Sequence, residues 1–124
     1  MSKIPFIAFE KMMSYDVIKN HACIEIGFSV ENHPIYHACW LGKTVNKEKN
    51  KATYWFGLVE DGSQAYDYDS FEQFVNSRVF SGRSIKDIWS YITLSSIDGC
   101  NINERLPFYL GVADGPIRGP AMPM

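Results

Sequence analysis

The chain reads as an α+β domain: an antiparallel β-sheet of about four to five strands with two or three helices packed on one face. Three observations point there. Apolar and polar residues alternate in steps of two, as in Ile24, Ile26, Phe28 and Val30 against Cys23, Glu25, Gly27 and Ser29. Short polar turns join the alternating runs, which favours antiparallel neighbours over parallel crossovers. After Asp69 the period lengthens, and apolar residues recur at helical spacing.

The elements follow in order. Pro5 fits a first helical turn, and Phe6, Phe9, Met13 and Val17 recur at spacings of three or four, so a helix starts here, interrupted near Ser14 or Tyr15. Ala22–Val30 is the first strand. Glu31-Asn32-His33-Pro34 is a turn cluster, and Ile35–Val45 a second strand with Cys39 and Leu41 on one face and Trp40 and Gly42 on the other. A polar loop, Asn46–Lys51, leads to a third strand, Ala52–Glu60. Asp61-Gly62-Ser63 turns the chain into a short fourth strand, Gln64–Tyr68. Asp69 is the candidate N-cap of a short helix, with Glu72 as its capping-box partner and Phe71, Phe74 and Val75 as its apolar stripe. Ser84 opens another helix on Ile85, Ile88, Trp89 and Ile92. Asp98-Gly99 is a turn, and Leu106–Val112 is read as a last strand.

The 124 residues are 46% hydrophobic and 15% aromatic, enough for one core without disulfides or metal. Residues 1–112 form this single domain. Residues 113–124, ADGPIRGPAMPM, read as an extended Pro/Gly-rich arm. The formal net charge of -2 lacks the basic excess of nucleic-acid binders, so direct nucleic-acid binding is not expected. Three widely spaced cysteines read as reduced, small apolar residues. No signal-peptide pattern and no run of about 18 apolar residues occurs, so no membrane partner and a cytoplasmic location are expected.

The chemistry-bearing patterns argue against catalysis. His21-Ala22-Cys23 and His37-Ala38-Cys39 would converge on a zinc ion only if His21 paired with Cys39. The turn signal between Asn32 and His33 instead pairs Phe28 with His37 and Ile26 with Cys39, so two buried cysteines beside ordinary histidines is the better reading. No phosphate-cradling glycine loop or nucleophile elbow occurs, and no cofactor is expected. The expectation is therefore a binding protein, not an enzyme. The alternatives are a small hydrolase or nuclease using Asp67, Asp69 and Glu72 with a histidine, or a generic ligand-binding or adaptor domain with an apolar pocket under its helices.

The segregation of charge is the positive signal. From Ala52 through Ser77 there is no Lys, Arg or His, while Glu60, Asp61, Asp67, Asp69 and Glu72 all fall in that span, with Tyr66 and Tyr68 interleaved. Lys43, Lys47, Lys49 and Lys51 form the opposite pole upstream. A solvated hairpin and a helix start would account for this. A docking surface for a basic partner would as well, since tyrosine offers contact area and carboxylates offer steering.

The runs Tyr54-Trp55-Phe56-Gly57-Leu58, Asp69-Ser70-Phe71-Glu72-Gln73-Phe74, Ser81-Gly82-Arg83-Ser84-Ile85-Lys86-Asp87-Ile88-Trp89 and Ser96-Ile97-Asp98-Gly99 carry a resemblance. Their cadence, over about residues 22–101, resembles small bacterial immunity proteins of contact-dependent growth inhibition and other polymorphic toxin systems. The resemblance implies a cytoplasmic protein that binds the C-terminal domain of a cognate toxin, often a basic nuclease, and blocks it. Glu60, Asp61, Tyr66, Asp67, Tyr68, Asp69 and Glu72 would then be the natural contact surface. Some members of such systems self-associate, which leaves a homodimer open.

Overall fold

The computed structural model describes residues 3–14, 23–46, 48–49 and 51–110. Five antiparallel strands form one sheet: β1 (Ile24–Val30), β2 (Cys39–Asn46), β3 (Lys51–Gly57), β4 (Ala65–Tyr68) and β5 (Ile92–Ile97), in spatial order β4-β3-β2-β1-β5. The helices are α1 (Phe6–Met13), α2 (Phe71–Asn76) and α3 (Ile102–Leu110). The α+β class with a single antiparallel sheet is thus the observed one. No described helix is long and apolar enough to cross a membrane.

The period-two alternation sets the two faces of the sheet. Ile24, Ile26 and Phe28 of β1, Cys39 and Leu41 of β2, and Tyr54 and Phe56 of β3 are all buried on one face. Phe9, Met12 and Met13 of α1, Phe74 and Val75 of α2, and Ile85 and Ile88 complete the core. Aromatic stacking organises it: Phe56 lies on Phe74 with ring centroids 4.3 Å apart, and Trp89 on Phe9 at 4.5 Å. The Trp89 indole N–H donates to the Ile4 carbonyl, 2.7 Å away, which satisfies its polar edge and ties the N-terminal segment to the far end of the chain. Lys43 sits among these residues, 1% exposed, with its ammonium donating to the Met13 carbonyl at 2.9 Å. The lysine-rich pole read upstream of the hairpin therefore loses this member to the interior.

Several local readings are corrected. The β1–β2 pairing joins Phe28 to Cys39 and Ile26 to Leu41, two residues away from the register expected from the turn signal. A slip of two leaves every side chain on its own face, so the core face is unaffected. The slip comes from Tyr36, which leaves the connection to bury itself against Phe80 and His33, so that β2 starts at Cys39 and not at Ile35. Cys23, expected inside, is exposed; Cys39 is buried. Helix α2 is capped by Ser70, whose hydroxyl accepts from the Gln73 N–H, and not by Asp69. Ser-x-x-Gln is itself a capping-box spacing, one residue later than the pair first read.

The segment from Ser84 closes a single turn. The Ser84 hydroxyl accepts from the Asp87 N–H while the Asp87 carboxylate accepts from the Ser84 N–H. The chain then passes through a 3-10 turn, Trp89–Tyr91, into β5, so Ile92 is a strand residue and not the fourth member of a helical stripe. The stretch read as a last strand from Leu106 belongs to α3, which packs on β5 and α1. Val17, His21, Lys47, Val112 and the arm 113–124 lie outside the described residues.

Candidate functional site

The β3–β4 hairpin and the start of α2 carry all seven residues singled out for partner binding, and alternation divides them. Asp67 pairs with Trp55 across the hairpin and projects from the sheet face opposite the core, while Asp69 follows the end of β4, exposed, in the bend that leads to α2. Tyr66 and Tyr68 project to the other face and are half-buried against the core; the Tyr68 hydroxyl shares a hydrogen bond of 2.5 Å with Ser77. Tyr66 and Asp67, adjacent in sequence, therefore project to opposite faces, and of the two tyrosines Tyr68 reaches the acidic side, at the concavity between β4 and α2. Glu60 and Asp61 are exposed in the turn at one end of the hairpin, and Glu72 is exposed on the first turn of α2 at the other. Asp61 accepts from the Ser63 N–H at 2.8 Å, and the Ser63 side-chain and backbone donors hold its carboxyl below the usual range. Lys51 approaches Asp69 at 3.5 Å, with both side chains largely in solvent, so this pair is screened and weak.

The surface is therefore an acidic rim and not a cleft. Asp67, Asp69, Tyr68, Gln73, Asn76 and Ser77 line an open concavity between β4 and α2. Among the described residues, no His, Cys, Asp and Glu group of three or more is placed to hold a metal. The nearest thing to a nucleophile–base pair lies elsewhere: Ser81 Oγ is 3.4 Å from His33 Nε2. His33 Nδ1 accepts the backbone N–H groups of Ile35 at 3.2 Å and Tyr36 at 3.3 Å. In the neutral ring the proton then sits on Nε2, which faces the serine as a donor, the wrong tautomer for a general base. The pair reads as a brace for the β1–β2 connection.

Cys39 is likewise inert. Its thiol is within 3.4 Å of the Leu58 carbonyl, and burial pushes its pKa up to about 11. Treated with iodoacetamide at about pH 8, Cys23 and Cys100 should be alkylated readily, and Cys39 only after denaturant is added. Mass spectrometry of the time course checks this; equal rates at all three thiols would mean that the core opens locally.

The uncovered face of the sheet lies mostly outside the seven residues singled out, although the split of Tyr54 and Trp55 between opposite faces already makes an exposed aromatic there an interface candidate. Trp40, 43% exposed, and half-buried Trp55 lie there, with Glu25, Thr44, Asn46, Lys51, Thr53 and Asp67 around them. Each tryptophan lies over a glycine of the neighbouring strand. A Cβ on Gly42 would sit 2.5 Å from Cζ2 of Trp55 and 2.3 Å from the Ile24 carbonyl oxygen; one on Gly27 would sit 3.3 Å from Cζ3 of Trp40 and 2.7 Å from Ser95 Oγ. The alternation of Trp40 with Leu41 and of Trp55 with Phe56 was available in the sequence. The opposition of Trp55 to Gly42 and of Trp40 to Gly27 required the register. Comparison with protein-family models, curated proteins and solved structures finds no match to this chain.

Proposed function

We propose that this chain is an immunity protein: a cytoplasmic binding module that neutralises a basic toxin domain, such as a nuclease, by occupying its cationic face. The observation that carries the reading is the exposure of every acid of the cation-free span. Glu60, Asp61, Asp67, Asp69 and Glu72 all reach solvent, and Lys51 beside Asp69 is their one ion-pair partner among the described residues. The cadence shared with polymorphic-toxin immunity proteins supports it. Carboxylates on a rigid hairpin can stand in for nucleic-acid phosphates at a nuclease surface, and they accelerate encounter with a basic partner.

Co-expression with a toxin domain encoded beside this chain tests the class, and the absence of a complex at micromolar concentration would overturn it. Within a complex, Asp67→Lys with Asp69→Lys should slow association at low salt by about tenfold or more and weaken protection of cells. Both positions are exposed, so thermal unfolding should be nearly unchanged. Unchanged association kinetics would place the interface elsewhere.

A further inference from the structure

One row of residues across the uncovered face places an aromatic ring between two carboxylates. Reading from β1 to β4, the pairings run Glu25 to Gly42, Gly42 to Trp55, and Trp55 to Asp67. The Trp55 indole covers Gly42, so the ring lies along the sheet between two carboxylates. Among the described residues neither Glu25 nor Asp67 has an ion-pair partner. Glu25, Thr44 and Trp55 also line an open concavity of about 410 Å³, enough to admit the end of a long side chain. Trp40 lies diagonally across from Trp55, at about 7–8 Å, and supplies a second exposed ring.

We propose that this face is an arginine-docking surface, in which Trp55 is the stacking platform for a guanidinium, Glu25 and Asp67 accept its N–H groups, and Trp40 receives a neighbouring part of the same segment. The occupant is an arginine-bearing stretch of a basic protein, and the inference rests on the reading that the partner is basic. A planar guanidinium can lie on an indole while its in-plane donors reach carboxylates at the ring edge, which an ammonium cannot do. Nucleic acid is disfavoured, because its phosphates would face Glu25 and Asp67. A second copy of the chain is disfavoured too. On the strands themselves the charged side chains of this face are Glu25, Asp67 and Lys51, so two copies would press net negative surfaces together.

The three tryptophans make the test internal. The full chain is titrated with a peptide of alternating glycine and arginine, and with the same peptide carrying citrulline or lysine at the arginine positions. The arginine peptide should move the indole N–H resonances of Trp55 and Trp40 and leave that of Trp89 in place, since Trp89 is held by Ile4 and Phe9. The citrulline peptide should not bind, and the lysine peptide should bind more weakly. Glu25→Gln, Asp67→Asn and Trp55→Leu should each weaken binding by about tenfold. The first two change exposed side chains, and their melting temperatures should match the parent. Shifts confined to the amides of Asp61 and Glu72 would overturn this location while leaving the basic-partner reading intact. No shift anywhere at low ionic strength would overturn both. Shifts of Trp40 and Trp55 that depend on protein concentration without peptide would make a second copy the occupant and overturn the arginine assignment.

Discussion

Gly42→Ala should destabilise the protein by about 3 kcal/mol, while Gly57→Ala on the neighbouring strand should be nearly neutral. Both glycines lie on interior strands and on the uncovered face, Gly42 within β2 and Gly57 as the last residue of β3. Their surroundings differ. The new methyl at position 42 meets the Ile24 carbonyl oxygen at 2.3 Å and two atoms of the Trp55 ring at 2.5 and 2.7 Å. The ring can swing away, but the carbonyl belongs to the β1 backbone and cannot move without breaking the β1–β2 ladder. At position 57 a Cβ meets nothing within 4 Å. Urea unfolding of the pair of variants measures the difference, and tryptophan emission should shift to longer wavelength in Gly42→Ala as Trp55 is lifted into water. Equal midpoints would mean that the β1 backbone yields at Ile24; an unshifted emission would mean that Trp55 does not lie on Gly42, and the arginine platform would go with it.

Asp98→Ala should cost about 3–5 kcal/mol, because one carboxylate joins three elements. Its Oδ1 accepts from the Glu25 N–H at 2.9 Å, and its Oδ2 accepts from Arg105 Nε at 2.9 Å and from the Tyr109 hydroxyl. It thus fastens α3 to the start of β1 and the end of β5. Removing it takes away the carboxylate to which the hydroxyl of Tyr109, 5% exposed, donates, and puts alanine at a φ of 55°, a left-handed conformation that Asp and Asn tolerate better. Asp98→Asn keeps the backbone and one acceptor, so it should cost less. Alkaline pH gives a second readout. Burial, and next the Asp98 carboxylate, push the Tyr109 pKa from 10.0 up to about 12. A raised pKa means the fold favours the protonated phenol, so this stabilisation is complete below pH 10 and is lost as pH rises toward about 12. In Asp98→Ala one cause of the rise is gone, and Tyr109 should ionise at lower pH. Equilibrium unfolding and tyrosine absorbance followed against pH check both statements; an unchanged Tyr109 titration would mean that Asp98 does not hold it.

The strands of the first half were legible to within a few residues, because Ile24, Ile26, Phe28 and then Tyr54, Phe56 alternate without interruption. The last third was not. Ile85, Ile88, Trp89 and Ile92 satisfy a helical template by count, yet Ile92 pairs with Val30 and Ile97 with Ile26 in β5. Short apolar patterns fit both periods, and here the free edge of β1 decided, as long-range pairing overrides local propensity. Leu106–Leu110 failed in the opposite sense. Pro107 argues against a helix interior, but Asn101 starts the turn by accepting from the Asn103 N–H at 2.8 Å, and Arg105 and Tyr109, four apart, both reach Asp98. For the candidate surface, the acidic span was plain in the sequence, and its exposure follows from turn and edge positions. The contribution of Glu25, some forty residues away in the chain, was invisible there.

By itself, the amino-acid sequence determined which side chains turn toward the core along β1 and β3 and where charge is concentrated, since both depend only on neighbours along the chain. The tertiary structure alone decided the strand order, the burial of Lys43, the brace at Asp98 and the placing of Glu25 and Asp67 on either side of Trp55. These are register effects: hydrogen-bonded strands bring distant residues into one row, and no local period records which rows will meet.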